Sequence, residues 1–315
     1  MVTLARGHEK SSDGANEEQL GSQLLWRVGA EALRKQLAHA REQFAPARAG
    51  DDAEAIHQMR VALRRLRTMA RLLGETPAFR GRRVAGMRRQ AQPLARRLGD
   101  VRDLDMLLKR LDEYICSTGE AGQESNGLRD AVVARREKAL RRLRKELRRP
   151  ATRTLLGHPR RTTRRLASRS RESRRTLVRQ MAGSALWSRY ETILGFADAV
   201  AQAGPAERLH ALRIACKHLR YAVELFSEED DSRAQSLLAT LKDAQDHLGE
   251  LQDRIFAVAL LNRLRPALPR DPLLADFLAT QEEERETLRH GFAPCWEQLT
   301  GAPFRQELAA LIATL

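Results

Sequence analysis

A histidine followed by arginines at spacings of three and four residues begins at residue 57. The side chains of His57, Arg60, Arg64, Arg67 and Arg71 fall within an arc of about 80° if the segment is helical, because an α-helix turns about 100° per residue. Guanidinium groups donate paired hydrogen bonds to phosphate oxygens, and a histidine adds a further donor. This first basic face therefore has the donor groups that binding of an extended anion would need.

The same pattern recurs in the second half of the chain. Residues 57–73 read HQMRVALRRLRTMARLL, and residues 210–226 read HALRIACKHLRYAVELF. The second basic face consists of His210, Arg213, Lys217 and Arg220. Glu224 stands where the first copy has Arg71, so the two faces are not identical.

A second pair of matching segments follows each basic face. Residues 98–103 read LGDVRD and residues 248–253 read LGELQD. Two matches in the same order and at nearly the same offset predict a tandem duplication of one helical unit. We therefore divide the chain into a disordered tail (residues 1–16), a first helical bundle repeat (17–181) and a second one (182–315).

A solvated helix surface is the alternative explanation of one such face. Like charges four residues apart on a helix repel each other, at a cost of a few tenths of a kcal/mol per pair. One arginine-rich face would need no further explanation in an arginine-rich protein. Because the pattern occurs twice with its histidine, we interpret it as a surface that an anion neutralises.

Apolar residues recur at helical spacing almost throughout, and no segment alternates with a period of two. The pattern predicts an all-α protein built of helix bundles. The predicted helices cover residues 17–44, 52–73, 78–115 with a kink at Pro93, 128–150, a basic helical region up to 183, and then 184–203, 206–227, 231–264, 272–299 and 302–314. Asp51 or Asp52 is expected to cap the second of these, and residues 117–127 to form a polar loop.

The net charge of the chain is +15, from 56 Lys and Arg residues against 41 Asp and Glu residues. Residues 129–179 hold 20 of these cations and four carboxylates, so this one stretch accounts for the whole excess. Such a charge favours a polyanionic partner. A solvated helix face with a basic linker explains part of the stretch equally well.

Other classes of protein are excluded by composition. No apolar run approaches the roughly 18 residues of a membrane span, and no signal peptide is recognisable. Three widely spaced cysteines, Cys116, Cys216 and Cys295, indicate a reducing compartment and are expected to be small buried hydrophobic residues. We expect a cytoplasmic protein without membrane association.

The paired motifs HxxRVxxRRLR and HxxRIxxKxLRYxxELF, each followed by LGxxxD, resemble those of the CHAD domain (conserved histidine α-helical domain). The resemblance covers residues 17–315 and implies two four-helix bundles related by pseudo-twofold symmetry. It also implies binding of inorganic polyphosphate at a basic surface near the junction of the bundles, and association with polyphosphate granules. The ExExK motif of the CYTH triphosphatase module that often accompanies this domain does not occur, so the chain resembles a stand-alone member.

The resemblance carries the binding role onto both basic faces and onto positions that match more loosely. The candidate polyphosphate-binding residues are His57, Arg60, Arg64, Arg65, Arg67, Arg71, Arg102, His210, Arg213, Lys217, His218 and Arg220. Gln252 occupies the position of Arg102 in the second copy, which is a departure from strict equality of the two copies.

Catalysis and metal binding are not indicated. His57 and His210 would have arginines as neighbours, whereas a zinc site needs three or four N, S or O ligands. We expect Asp100, Asp103 and Asp105 to pair with Arg96, Arg97 and Arg102 rather than to hold Mg²⁺. No phosphate-binding loop or nucleophile motif occurs, so we predict a protein that is not an enzyme and has no cofactor.

Non-specific nucleic-acid binding through residues 129–179 is the alternative function. Aromatic residues make up only 4% of the chain, and Trp26, Trp187 and Trp296 lie in apolar stripes that predict a core position. Only Tyr221 is expected near a basic face, where a base could stack on it. A bare phosphate chain is therefore the simpler ligand.

Overall fold

A computed structural model describes residues 20–50, 52–118, 126–202, 204–228, 230–268 and 271–315. In this part of the chain all regular structure is helical, which confirms the predicted all-α class. The helices are α1 (Leu25–Glu42), α2 (Phe44–Ala49), α3 (Ala53–Gly74), α4 (Gly81–Thr118), α5 (Asn126–Leu147), α6 (Pro150–Gly157), α7 (Pro159–Arg164), α8 (Arg179–Leu194), α9 (Ala197–Ala201), α10 (Ala206–Phe226), α11 (Ser232–Leu264), α12 (Pro272–His290), α13 (Ala293–Thr300) and α14 (Ala302–Ala313).

The helix that carries the first basic face begins where the sequence indicated. The carboxylate of Asp52 accepts hydrogen bonds from the backbone N–H groups of Glu54 and Ala55, both at 2.9 Å. These contacts satisfy two of the donors that a helix N-terminus leaves unpaired. Gly50, with a φ of 86°, ends α2 in a left-handed conformation that favours glycine, so the chain can turn into α3.

Several predicted helices are interrupted at glycine or proline. The predicted 128–150 helix ends at Leu147, and α6 starts anew at Pro150. The predicted 272–299 helix ends before Gly291, whose N–H bonds to the carbonyl of Thr287. Pro93, in contrast, lies inside α4, which continues through it.

Three predicted segments lie partly or wholly outside the described residues. They are the tail (1–16), the start of the first helix at residue 17, and residues 119–125 of the polar loop. The described part of the first long helix begins at Leu25, after a short 3₁₀ turn at Leu20–Ser22.

The apolar sides of α3 and α10 form the centre of the core. Met59, Leu63 and Leu66 of α3 are fully buried, as are Leu212 and Leu219 of α10. Burial of large aliphatic side chains contributes about 1.5–3 kcal/mol each to folding. Because these residues alternate with the cations at helical spacing, their burial turns both basic faces away from the core.

The helices pack in an order that follows the repeat. Within the first half α3 packs against α1 and α4, and α4 packs against α5. Within the second half α10 packs against α8 and α11, and α11 packs against α12. The halves meet where α3 contacts α10 and α4 contacts α11, so the two basic helices lie side by side. The pseudo-twofold relation of two four-helix bundles stays a prediction, as does the division after residue 181, near which α8 begins at Arg179.

The basic stretch 129–179 is largely folded. Val132, Leu143 and Leu147 of α5 are fully buried against the core. The segment after α7 is held by backbone hydrogen bonds from Arg80 N–H to the carbonyl of Leu166 (2.8 Å) and from Ser168 N–H to the carbonyl of Ala78 (2.9 Å). A loose basic linker therefore does not describe these residues.

No helix in the described ranges has the length and apolar character needed to cross a membrane.

Candidate anion-binding site

Glycine residues of the LGxxxD segments make room for an arginine of each basic face. A Cβ atom placed on Gly99 of α4 would lie 3.8 Å from Nε of Arg60, and one placed on Gly249 of α11 would lie 3.1 Å from Nη2 of Arg213. Arginine and glycine are therefore in contact in both halves of the chain. This contact gives a physical reason why the two motifs recur together.

The aspartates of the same segments lie close to these arginines. Asp103 Oδ1 is 4.0 Å from Nη2 of Arg60. Burial raises the pKa of Asp103 to about 6, while Arg60 opposes that rise and Asp253 adds to it. Asp253 accepts a hydrogen bond of 3.0 Å from Nη2 of Arg110, an α4 residue of the other half. Asp103 of the first half and Asp253 of the second half are therefore close enough for the charge of one to affect the other.

Cations of both basic faces converge at this junction. Burial lowers the pKa of Arg213, and Arg64 and Arg60 of the other face lower it further. Burial likewise lowers the pKa of Lys217 to about 6, and Arg213, Arg64 and Arg60 reinforce the shift. We call these four residues, Arg60, Arg64, Arg213 and Lys217, the junction cluster.

The junction cluster holds more positive charge than its neighbours neutralise. Asp103 and Asp253 counter the charge of Arg60 and Arg213, but Asp253 is also bound to Arg110. Lys217 titrates near pH 6 in this environment, so its amine is mainly neutral at pH 7. A bound anion would favour the ammonium form, because an opposite charge nearby raises the pKa of a lysine.

Tyr221 of α10 contacts arginines of both basic helices. Its hydroxyl accepts a hydrogen bond of 2.9 Å from Nε of Arg64. The guanidinium groups of Arg65 and Arg220 lie over its ring, 5.8 and 5.5 Å from the centroid. The expectation that Tyr221 offers a stacking surface for a base is wrong, since its side chain is fully buried.

Glu224 binds two of the candidate residues within the protein. Its Oε1 atom lies 3.4 Å from Nη2 of Arg65 and 3.1 Å from Nε of Arg220. Arg220 also donates to Oε1 of Gln245 at 3.3 Å. Because their charges are shared with a carboxylate, Arg65 and Arg220 contribute less free positive charge than the junction cluster does.

The two motif histidines have different surroundings. His57 is partly buried; burial lowers its pKa, Arg102 lowers it further, and Nδ1 has no hydrogen-bond partner among the described residues. His210 is exposed, and its Nδ1 lies 2.6 Å from Oε1 of Gln252. Since an amide oxygen only accepts, Nδ1 donates there, and Nε2 is the acceptor of the neutral ring. Gln252 therefore holds His210 by a hydrogen bond, whereas Arg102, at the equivalent position of the first copy, acts on His57 through its charge.

The remaining candidates extend away from the junction. His218 is partly buried; burial lowers its pKa to about 4, and Arg71, Arg189 and Lys217 act in the same direction. The pKa of Arg67 is lowered by burial and by the nearby Arg88 of α4. Arg71 itself is exposed at the C-terminal end of α3. His218 therefore lies close enough to Arg71 and to Lys217 of the junction cluster to be affected by both charges, whereas Arg67 lies near Arg88.

Carboxylates of α4 pair differently from the sequence-based expectation. Arg97 binds Asp100 at 3.0 Å as expected. Asp103 instead lies near Arg60, and Asp105 is bound by Arg136 of α5. The predictions missed Asp253 and Arg110 as well, although the LGxxxD repeat was the signal that pointed to Asp253.

Further predictions about isolated residues need correction. Cys216 is buried and its thiol pKa is raised by burial to about 12, but Cys116 is exposed and Cys295 is only half-buried. Trp187 is 37% exposed rather than part of the core. Trp26 and Trp296 are half-buried and pack against the core from outside.

Among the described residues no group of three His, Cys, Asp or Glu side chains is arranged to hold a metal ion.

Comparisons with known proteins agree with this architecture. Two solved structures share the fold: PptA from Streptomyces chartreusis has a TM-score of 0.66 at 17% identity over 87% of this chain and 100% of its own. The CHAD domain from the plant Ricinus communis has a TM-score of 0.56 at 23% identity, over 94% of this chain and 93% of its own. The search of curated proteins found no match.

The sequence model of the CHAD domain matches residues 31–262, which is more than half of the chain and includes both basic faces. The structure of a plant CHAD domain has the same fold. On these grounds the protein belongs to the CHAD domain family.

Proposed function

We propose that this protein binds inorganic polyphosphate at the junction cluster and along the two basic faces, without chemical turnover. The observation that carries the proposal is the convergence of Arg60, Arg64, Arg213 and Lys217 from two helices, with their charge only partly met by Asp103 and Asp253. Polyphosphate supplies repeated negative charge along one chain, so it would neutralise several of these cations at once.

The shape of the surface favours an extended ligand. The first basic face runs for about 21 Å from His57 to Arg71, at 1.5 Å per residue. The second face lies beside it, because α10 packs against α3. A chain of phosphates can contact both faces, whereas a single phosphate would leave most of the arginines unpaired.

Unpartnered nitrogen atoms supply the hydrogen-bond donors. Nε of Arg213 and Nε of Arg67 are buried without a hydrogen-bond partner among the described residues, and the same holds for Nδ1 of His57. A buried polar group without a partner costs about 1–3 kcal/mol. A phosphate oxygen that reached one of these nitrogens after a rotation of the side chain would recover part of this cost.

Nucleic-acid binding is the second candidate, and this site supports it less. Single-stranded nucleic acids bind proteins through aromatic platforms as well as phosphate contacts. Tyr221, an aromatic residue next to both basic faces, is fully buried, and its hydroxyl accepts a hydrogen bond from Arg64.

The location of the protein in the cytoplasm and on polyphosphate granules remains a prediction.

A competition experiment separates the two ligands. A fluorescently labelled oligonucleotide is bound to the full-length protein at fixed ionic strength, and long-chain polyphosphate is added at equal phosphate concentration. We expect polyphosphate to displace the labelled oligonucleotide at a lower phosphate concentration than the same oligonucleotide without its label does. Failure of polyphosphate to compete would contradict the proposal, and phosphate release during the incubation would contradict the absence of turnover.

A further inference from the structure

A second concentration of positive charge lies away from the junction, in a cleft between α1, the start of α4, α7 and the segment after α7. The cleft has a volume of about 960 Å³, and eight of the eleven residues that line it are arginines. Its lining includes no carboxylate. We call it the arginine cleft; Arg80, Arg83, Arg161, Arg164 and Arg169 belong to it.

Tertiary contacts hold the cleft in shape. The hydrogen bonds from Arg80 N–H to Leu166 and from Ser168 N–H to Ala78 fix the segment after α7 to the segment before α4. Nη1 of Arg83 donates to the carbonyl of Arg165 at 3.2 Å, which closes the same side. The arginines are therefore gathered by the fold from two distant parts of the chain.

These arginines lack negative neighbours. In the described ranges no carboxylate oxygen lies within 4.0 Å of a side-chain nitrogen of the cleft arginines. Glu31, which is close enough to Arg160 for its pKa to be lowered slightly by it, is already bound to Arg34. Partial desolvation lowers the pKa of Arg80, and the positive charges of Arg83 and Arg169 lower it further.

The aromatic residue of the cleft is already covered. The guanidinium of Arg174 lies over the ring of Trp26, 4.4 Å from its centroid, and that of Arg27 lies 5.7 Å away. A nucleobase that stacked on the ring face next to Arg174 would have to displace this guanidinium. The cleft therefore favours the phosphate part of a ligand over a stacked base.

We propose that the arginine cleft is a second anion-binding site, which takes a run of adjacent phosphate groups and is independent of the junction cluster. Guanidinium groups from two chain segments can each donate paired hydrogen bonds to neighbouring phosphates. The phosphates could belong to a short oligophosphate or to part of a long polyphosphate chain. The proposal does not depend on the proposed function of the junction.

Trp26 provides a reporter inside the cleft. In a Trp187→Phe/Trp296→Phe protein it is the only tryptophan, since the chain contains three. Titration with inorganic tripolyphosphate is expected to change Trp26 emission in a saturable way. The reason is that phosphate groups compete with the Trp26 ring for the guanidinium of Arg174. A response to long-chain polyphosphate but not to tripolyphosphate would contradict the independence of the cleft from the junction cluster.

Two variants with equal charge distinguish the cleft from a general charge effect. Arg161→Gln/Arg164→Gln/Arg169→Gln should weaken the tripolyphosphate response about tenfold or more. Arg148→Gln/Arg153→Gln/Arg263→Gln removes three exposed arginines outside the cleft lining and should leave the response within about twofold. The junction variant Arg60→Gln/Arg64→Gln/Arg213→Gln should also retain it, so the failure of either site is seen separately.

Calorimetry on the chain with all its tryptophans gives a second measurement if the tryptophan variants unfold. The cleft variant should bind fewer tripolyphosphate molecules than the charge-matched control. Equal stoichiometry and affinity in the two variants, or the absence of a saturable response to either phosphate compound, would overturn the proposal.

Discussion

Nε of Arg64 in α3 donates a hydrogen bond to the hydroxyl of Tyr221 in α10, at 2.9 Å. The two residues belong to different halves of the chain, and Tyr221 is fully buried while Arg64 is partly exposed. One contact therefore connects the core of the second half to the basic surface of the first. It also fixes the direction of the Arg64 side chain, so the remaining nitrogens of its guanidinium can face a ligand.

Removal of the Tyr221 hydroxyl tests this link. Tyr221→Phe should lower the free energy of unfolding by about 1 kcal/mol, because Nε of Arg64 loses its partner in a partly buried place. Polyphosphate affinity should fall severalfold, since Arg64 is then free to turn away. Chemical denaturation and calorimetric titration measure the two effects. An unchanged affinity together with the expected loss of stability would show that the hydroxyl serves the fold alone.

The glycines of the LGxxxD segments allow a matched pair of variants. Gly249→Ala introduces a methyl group 3.1 Å from Nη2 of Arg213, so this side chain must shift. Gly99→Ala places its methyl group at 3.8 Å from Nε of Arg60, which is an ordinary contact. Both changes also raise helix propensity by up to about 1 kcal/mol. We expect severalfold weaker polyphosphate binding for Gly249→Ala and near-unchanged binding for Gly99→Ala, as measured by calorimetry.

The same result could arise if Gly249→Ala disturbed the helix rather than Arg213. Thermal unfolding of both variants addresses this point, because a disturbed α11 would lower the unfolding temperature of Gly249→Ala alone. Equal affinities of the two variants would contradict the assigned contact between Gly249 and Arg213.

Because the pKa of Lys217 is lowered, we expect polyphosphate binding to be linked to protonation of its amine. Its pKa of about 6 in the free protein should rise when an anion binds, so the complex takes up a proton above pH 6. Affinity should therefore fall as the pH rises from 6 to 8. Calorimetry in buffers of different ionisation enthalpy counts the protons, and Lys217→Met should reduce the uptake. His57 and Asp103, whose pKa values are also shifted, account for uptake that persists in this variant. An uptake as large as that of the unaltered chain would contradict the role of Lys217.

The free protein should show the opposite trend in stability. Because the folded pKa of Lys217 lies below its ordinary value of 10.5, the unfolded chain binds more protons between about pH 6 and 10.5. The contribution of Lys217 to stability therefore rises with pH through this range. Denaturation at pH 7 and pH 9 should show a smaller pH dependence for Lys217→Met than for the unaltered chain. An equal dependence would contradict the neutral, buried state of the amine.

Helical periodicity was sufficient to predict the basic faces but not their environment. It placed His57, Arg60 and Arg64 on one side of a helix, because this depends only on the 3.6-residue turn. It did not reveal that Tyr221 is buried or that Lys217 is desolvated, since both follow from the approach of α3 to α10. Contacts between distant segments leave no periodic trace in a sequence.

The internal repeat pointed to functional segments that helical periodicity alone did not single out. It predicted that residues 98–103 and 248–253 have equivalent roles, and the structure places Gly99 against Arg60 and Gly249 against Arg213. The pairing of Asp105 with Arg136 could not be foreseen, because α5 has no counterpart motif in the second half. The burial of α5 likewise depends on apolar residues that the surrounding arginines obscured.

Neutralisation of the junction cluster tests the proposed site most directly. Arg60→Gln/Arg64→Gln/Arg213→Gln removes three cations and retains side chains that can donate hydrogen bonds. We expect polyphosphate affinity to fall at least about a hundredfold, because hydrogen bonds to charged groups contribute roughly 1.5–3 kcal/mol each. The Arg148→Gln/Arg153→Gln/Arg263→Gln control changes net charge equally, and its polyphosphate affinity should fall no more than about threefold.

Titrations at several salt concentrations add an independent readout. The slope of log K against log salt should become shallower by about 2 in the junction variant, since fewer counterions are released. The free energy of unfolding of this variant is measured as well, because loss of the Arg64–Tyr221 hydrogen bond and of the cations that face Asp103 and Asp253 opposes the gain from reduced repulsion between the cations. If both variants lost affinity equally, the binding would depend on overall charge, and the junction would not be the site.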